Sequence, residues 1–146
     1  MKIVILNEGD SDSRVSASPE TVRKIYEMNH SIYVQKGAGV ESNFIDQEYE
    51  ENGAKIFEDK DTIREADVIF KINKPSIDEI ELFKENSILI AALDPFNNRD
   101  LIENLKNKKI ISFAMDSGIL VFFTILAGVA FLISSMLLKT DHNFCN

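Results

Sequence analysis

The chain has 146 residues, 45% of them hydrophobic and 27% charged, with a formal net charge of −8 and a mean hydropathy of −0.09. This length fits one domain, and so acidic a surface would repel a polyanion, which removes nucleic acid from the expected partners. A single cysteine, Cys145, and two histidines, His30 and His142, exclude a disulfide framework and leave no cluster with zinc-ligand spacing.

At the N-terminus the apolar run is only Ile3 to Leu6, followed by Asn7 and Glu8. That is too short for the core of a signal peptide, so any membrane targeting is expected at the other end. Lys2 to Leu6 (KIVIL) reads instead as a β-branched strand. Ser18 before Pro19 opens a helix over PETVRKIYEMN, because a serine oxygen caps free N–H groups and proline fits the first turn. SIYVQ is the second strand, Asp46 opens a helix over QEYEEN that Gly53 stops, and AKIF and DVIFKI follow as strands. Ser76 with Glu79 forms a capping box, SILIAAL is the fifth strand, Asn98 caps RDLIENLKN, and KIISFAM is the sixth strand. Strands apolar on both faces that alternate with short helices predict a covered parallel sheet joined by right-handed crossovers. Residues 1–116 are therefore expected to form an α/β domain: an open, mainly parallel sheet with helices on both faces, flavodoxin/Rossmann-like, followed by one C-terminal apolar helix.

That helix is expected over Ser117 to Leu138, where 22 residues carry no charge and thirteen are Ile, Leu, Val or Phe. It would rise about 33 Å against a hydrocarbon core of about 30 Å, and its side chains favour insertion by roughly 4 to 8 kcal/mol. It lacks the polar face that a soluble core helix carries. The segment is expected to span a membrane, leaving residues 139–146 as a short polar tail. Lys106, Lys108 and Lys109 precede it and only Lys139 follows closely, which places the large domain on the cytoplasmic side of an inner or plasma membrane. Thr124 with Gly128, and Ala130 with Ser134, are small-residue pairs of the kind found where membrane helices meet.

Glycine-rich KGAG (Lys36 to Gly39) follows a strand and invites a phosphate-loop reading. A dinucleotide fingerprint needs a third small residue at fixed spacing and a helix opening there; Ser42 stands in that place, and the next helix signal is Asp46. No Walker-type lysine follows. The expectation is a strand-ending loop whose glycines take positive φ. Arg14 lies in the polar loop SDSRVSASPETV, and its planar fork suits a carboxylate, although a solvated loop arginine is the commoner case. Asn73 and Lys74 stand at the C-terminal end of the fourth strand, where open parallel sheets place ligand-contacting residues, and Asp94 holds the comparable place after the fifth. Lys74 reads equally well as surface charge. Arg14, Asn73 and Asp94 are thus candidate cleft residues. No Ser, His, Asp or Cys, His set is available for nucleophilic chemistry, and no residue is assigned to catalysis, a cofactor or a metal.

MKIVILNEGDSDSRVSASPETV, VQKGAGVESNFIDQEYEENGAKI, ADVIFKINKPSIDEIELF and ISFAMDS resemble, in order and spacing, the start of the alpha subunit of proton-translocating NAD(P) transhydrogenase. Alanine dehydrogenases share the same N-terminal domain. Transhydrogenases couple hydride transfer between NADH and NADP to proton movement across a membrane. Alanine dehydrogenases hold their amino-acid or keto-acid substrate with an arginine matching Arg14, a lysine and a histidine; this chain has Asn73 and Asp94 in the last two places. The resemblance therefore implies the transhydrogenase branch and disfavours an alanine dehydrogenase-like fragment, with Arg14 and Asn73 shaping a cleft between two subdomains. In the family, the segment matching AMDS is followed by a nicotinamide-contacting loop and a Rossmann subdomain, whereas here the apolar stretch begins. The resemblance thus implies an alpha-subunit fragment, its junction the seam of a truncation or rearrangement. Such a fragment would be inactive alone and bind no cofactor itself, while the intact enzyme uses NAD and NADP. Other transhydrogenase subunits are the expected partners, and a homodimer is compatible with the resemblance. Two other readings stand beside it. One is a membrane-anchored binding module that docks on a partner carrying the Rossmann half; the other is a functionless remnant whose apolar stretch folds back over the exposed surface.

Overall fold

The computed structural model describes residues 1–9 and 12–116, together with the backbone of residues 122–123. In chain order the first half contains β1 (Lys2–Ile5), α1 (Pro19–Glu27), β2 (Ser31–Gln35), α2 (Asp46–Glu51), β3 (Ala54–Phe57) and α3 (Lys60–Arg64). The second half contains β4 (Val68–Phe70), α4 (Ile77–Leu82), β5 (Ile88–Ala91), α5 (Arg99–Asn107), β6 (Ile111–Ala114) and the two-residue β7 (Phe122–Phe123). Strands β1 to β6 are all parallel in the order β3-β2-β1-β4-β5-β6, and β7 pairs antiparallel with β6. This is the strand order of the doubly wound dinucleotide-binding fold.

Two apolar clusters hold the sheet between its helices. Val4, Ile69 and Leu89 point to one face, where Ile63 of α3, Ile80 of α4, and Leu101 and Leu105 of α5 cover them. Ile5, Ile32 and Val34 point to the other, under Val22 of α1 and Tyr49 of α2. Adjacent residues of β1 thus serve opposite cores, as the two-residue repeat of a strand requires. Each fully buried Leu or Ile contributes roughly 1.5–3 kcal/mol. On the second face, Ile88 and Ile90 of β5 and Ile111 and Phe113 of β6 are only half-buried and belong to neither cluster.

The expected strands are all present, with DVIFKI, SILIAAL and KIISFAM trimmed at their ends. Ser18 accepts a hydrogen bond from the Thr21 N–H, and Ser76 and Glu79 form the reciprocal box at the start of α4. Two caps differ from expectation. Asp46 is the first residue of α2 rather than its cap; its carboxylate accepts from the Gly37 N–H at 2.9 Å, while Glu48 accepts from the Ile45 N–H. Asn98 stands at the start of α5, but its side chain turns back to donate to the Leu93 and Asp94 carbonyls. Helix α3 was not foreseen; Asp59 caps it, accepting from the Thr62 N–H at 2.7 Å and from its hydroxyl.

Glycines of the KGAG loop divide their roles, which corrects the expectation of positive φ at both. Gly37 has φ +73°, but Gly39, at φ −95°, is required by contact: a Cβ there would lie 2.6 Å from the Tyr49 ring. Tyr49 is fully buried and donates its hydroxyl to the Ala17 carbonyl at 2.9 Å; burial pushes its pKa up to about 12. Among the described residues no helix is long and apolar enough to cross a membrane. The span expected over Ser117 to Leu138, the tail 139–146, His142 and Cys145 lie outside the described residues, apart from the backbone of 122–123.

Candidate functional site

Strands β1 and β4 are neighbours, yet the chain leaves β1 toward β2 and leaves β4 toward β5. At the carboxyl ends of two such strands the following loops diverge and open a crevice, the usual ligand position in open α/β sheets. A cleft of about 500 Å³ lies there. Phe70, Ile72, Ile90 and Ala92 supply its apolar lining, and Arg14, Ser16, Lys71, Asn73 and Asp116 its polar part.

Carboxylates tie the loops around this cleft. Glu8, two residues past Leu6 and only 7% exposed, accepts from the backbone N–H groups of Ile72 at 2.6 Å and Asn73 at 2.9 Å. It thus bridges the loop after β1 to the loop after β4. Asp12 accepts from the Arg14 N–H, from Arg14 Nε at 2.9 Å and Nη2 at 2.7 Å, and from Asn73 Nδ2 at 3.0 Å. Asp116 accepts from the N–H groups of Leu93 and Asp94, fastening the end of β6 to the loop after β5. Lys71 is paired with Glu79 at 2.5 Å.

Of the three candidate residues, Arg14 and Asn73 line the cleft and meet on Asp12. Asp94 does not line it. Its backbone adopts φ +42°, and both its carboxylate oxygens accept from Asn97 Nδ2, at 3.0 and 2.8 Å, so the charge faces the turn into α5. Lys74 likewise turns away, donating to Asn98 Oδ1. Glu8, Asp12 and Asp116 were not foreseen. The available signal was their position just past the ends of β1 and β6, where the strand pattern gives way to acidic residues.

The side-chain hydrogen bonds from Arg14, then its backbone N–H and the Asn73 amide, hold Asp12 well below the usual carboxylate range; Asp12 in turn raises Arg14. A depressed folded value means that the stability contributed by this carboxylate is present above the unfolded value of about 3.9 and lost as pH falls through the folded one. Urea titrations should therefore show a constant gap between wild type and Asp12→Asn from pH 6 down to about 5, closing below about pH 4. A gap that stays level throughout would contradict the pairing.

Among the described residues no group of three or more His, Cys, Asp or Glu is placed to hold a metal ion. Three N–H groups in and beside the glycine loop after β2 are engaged internally: Gly37 on Asp46, Ala38 on the Gln35 carbonyl and Val40 on the Gly37 carbonyl. A phosphate would have to displace these bonds.

A family model described as "Alanine dehydrogenase/PNT, N-terminal domain" matches residues 4–118. The chain is 37% identical over 108 residues to NAD(P) transhydrogenase subunit alpha of Haemophilus influenzae, covering 74% of this chain and 21% of that protein. It is 34% identical over 118 residues to alanine dehydrogenase of Staphylococcus epidermidis, covering 80% of this chain and 32% of that one. The solved transhydrogenase of Sinorhizobium meliloti superposes with a TM-score of 0.75 at 34% identity, over 79% of this chain and 35% of the other. This chain thus spans about a fifth to a third of the relatives it matches.

Proposed function

The chain belongs to the alanine dehydrogenase/PNT N-terminal domain family, and from that premise we propose that it serves as the N-terminal domain of an NAD(P) transhydrogenase alpha subunit. The whole enzyme would transfer hydride between NADH and NADP while translocating protons. This domain supplies one wall of a cleft, performs no hydride transfer alone, and binds neither nucleotide without a partner.

The charge around the cleft carries the choice between the two branches of the family. Its two lining cations, Arg14 and Lys71, are each matched by a carboxylate, Asp12 and Glu79, while Glu8 and Asp116 add negative charge beside them. A site that grips an amino acid or keto acid by its carboxylate needs the opposite balance. Asp94, with its charge turned to Asn97, supplies no cation either.

Ile88, Ile90 and Ile111, half-buried on one face of β5 and β6, favour docking on the dinucleotide-binding half of the enzyme, since apolar surface gains by contact. Other transhydrogenase subunits are the partners this reading implies. Attachment to an inner or plasma membrane, with this domain on the cytoplasmic side, is part of the proposal and rests on the sequence of residues 117–138 alone.

Calorimetric titration of the full chain in detergent with NADH and with NAD tests the reading. No saturable heat is expected. Binding in the micromolar range by the chain alone would overturn it and assign a nucleotide site to this domain.

A further inference from the structure

One glycine of the chain directly follows an asparagine, at Asn52–Gly53, where α2 passes into β3. Each of the two is required there for its own reason. Gly53 takes φ +94°, and a Cβ at this position would lie 2.6 Å from Cγ of the Tyr26 ring and 2.8 Å from both of its Cδ atoms, so no side chain fits. Asn52 closes α2. Its Nδ2 donates at 2.7 Å to the Glu48 carbonyl, one of the last four that a helix end leaves without an intrahelical partner. The fold thus joins two residues whose shared peptide is chemically fragile.

The fragility lies in the reach of the asparagine side chain to the next backbone nitrogen. When the Gly53 nitrogen gives up its proton and bonds to Cγ of Asn52, the bond from Cγ to Nδ2 breaks and the amide leaves as ammonia, carrying that proton. Water then adds to either carbonyl carbon of the resulting succinimide and opens it to aspartate or to its β-linked isomer. Glycine leaves the attacking nitrogen unshielded. In the folded chain both reacting groups are engaged: the Gly53 N–H donates to the Glu50 carbonyl at 3.0 Å, and the Asn52 amide is held on Glu48. These bonds lie near the surface, since Asn52 and Gly53 are half-buried and Glu50 and Glu51 are exposed. Helix ends fray, and bonds at such a place open at the low end of the local stability scale.

We infer that Asn52 is a site of spontaneous deamidation held shut by the last turn of α2, and that the change reinforces itself once made. An aspartate in its place has no hydrogen to donate to the Glu48 carbonyl. It also sets a full negative charge at the negative end of the α2 dipole, in a turn that already holds Glu48, Glu50 and Glu51. The helix so loosened is the one whose Tyr49 is buried in the second apolar cluster and donates to the Ala17 carbonyl. The chain therefore carries a one-way chemical record of the time it has spent with α2 open. This goes beyond the transhydrogenase reading and is independent of it.

The experiment follows the tryptic peptide from Gly37 to Lys55 by mass spectrometry, with fragmentation to tell Asn52 from Asn43. The full chain in detergent is aged at mildly alkaline pH, in buffer and in unfolding guanidinium chloride, and digested under mildly acidic conditions. The acid form should accumulate in denaturant and appear at least about tenfold more slowly in buffer. Tyr49→Phe releases α2 from Ala17 without touching the reacting groups; it should speed the reaction in buffer and leave the rate in denaturant unchanged. If that variant does not fold, wild type in sub-denaturing guanidinium is read in the same way. Asn52→Asp, the product made directly, should unfold at a lower temperature than wild type. Equal rates in buffer and denaturant overturn the gate, and an asparagine that survives even in denaturant overturns the site. An Asn52→Asp variant as stable as wild type overturns the self-reinforcement.

Discussion

Replacing Glu8 by alanine is expected to lower the stability of the fold by about 3 kcal/mol, since two half-buried amide donors lose a buried, charged acceptor together. Those donors are the N–H groups of Ile72 and Asn73, where the chain leaves the central strand β4. Glu8 is itself only 7% exposed, so its carboxylate is the acceptor that both amides meet in place of water. Glu8→Gln keeps the shape and one acceptor, and should lose about half as much. Urea unfolding measures the stability, and amide exchange at residues 72 and 73 localises the effect. If Glu8→Ala unfolds within 0.5 kcal/mol of wild type, the carboxylate is not the bridge between the two loops.

Gly39→Ala is the second large effect, about 3 kcal/mol, and it fails through packing rather than backbone strain. The added methyl would lie 2.6 Å from a Tyr49 ring carbon, 2.8 Å from the Tyr49 hydroxyl and 2.8 Å from the Phe44 carbonyl oxygen. The carbonyl belongs to the backbone and cannot swing aside. Tyr49, fully buried, could retreat only by breaking its hydrogen bond to Ala17. A fall in Tm of more than about 10 °C is expected from thermal unfolding. A variant as stable as wild type would return the glycine loop to consideration as a ligand loop, where close approach of an outside group, not of Tyr49, requires glycine.

The sheet was legible because its strands are short, apolar on both faces and separated by recognisable caps. Ile3 to Leu6 could belong only to a central strand. Helix α3 was hidden because its five residues contain one buried aliphatic, Ile63, within the charged run EDKDTIREAD, so no apolar stripe appears. Asp46 and Asn98 have cap-forming side chains, but each found a stronger partner elsewhere in the fold, the Gly37 N–H for one and the Leu93 and Asp94 carbonyls for the other. A local pattern does not contain that competition.

The site was legible by position and not by pairing. Asn73 lies just past a strand end, where parallel sheets place contacts, and Arg14 lies in the loop facing it. What Glu8 does depends on amides 64 and 65 residues away, and Asp116 acts on amides 22 and 23 residues away. Nothing in the local sequence marks such a pair. Asp94 occupies the expected place along the chain, but its side chain follows a positive-φ turn that the sequence pattern did not reveal.

The central place of β1 has a consequence in time. Ile3 pairs with Ile32 on one side and with Val68 on the other. Strand β1 therefore keeps one edge open while β2, β3 and α3 are synthesised, because its second neighbour, β4, follows them in the chain. Closing so long a stretch of chain costs entropy before any contact rewards it, and parallel pairings at such separation place folding in the slow range for domains of this size. Until then an apolar strand stands with an open edge, and the interval in which the nascent domain is most exposed to aggregation is set by the distance between residues 5 and 70.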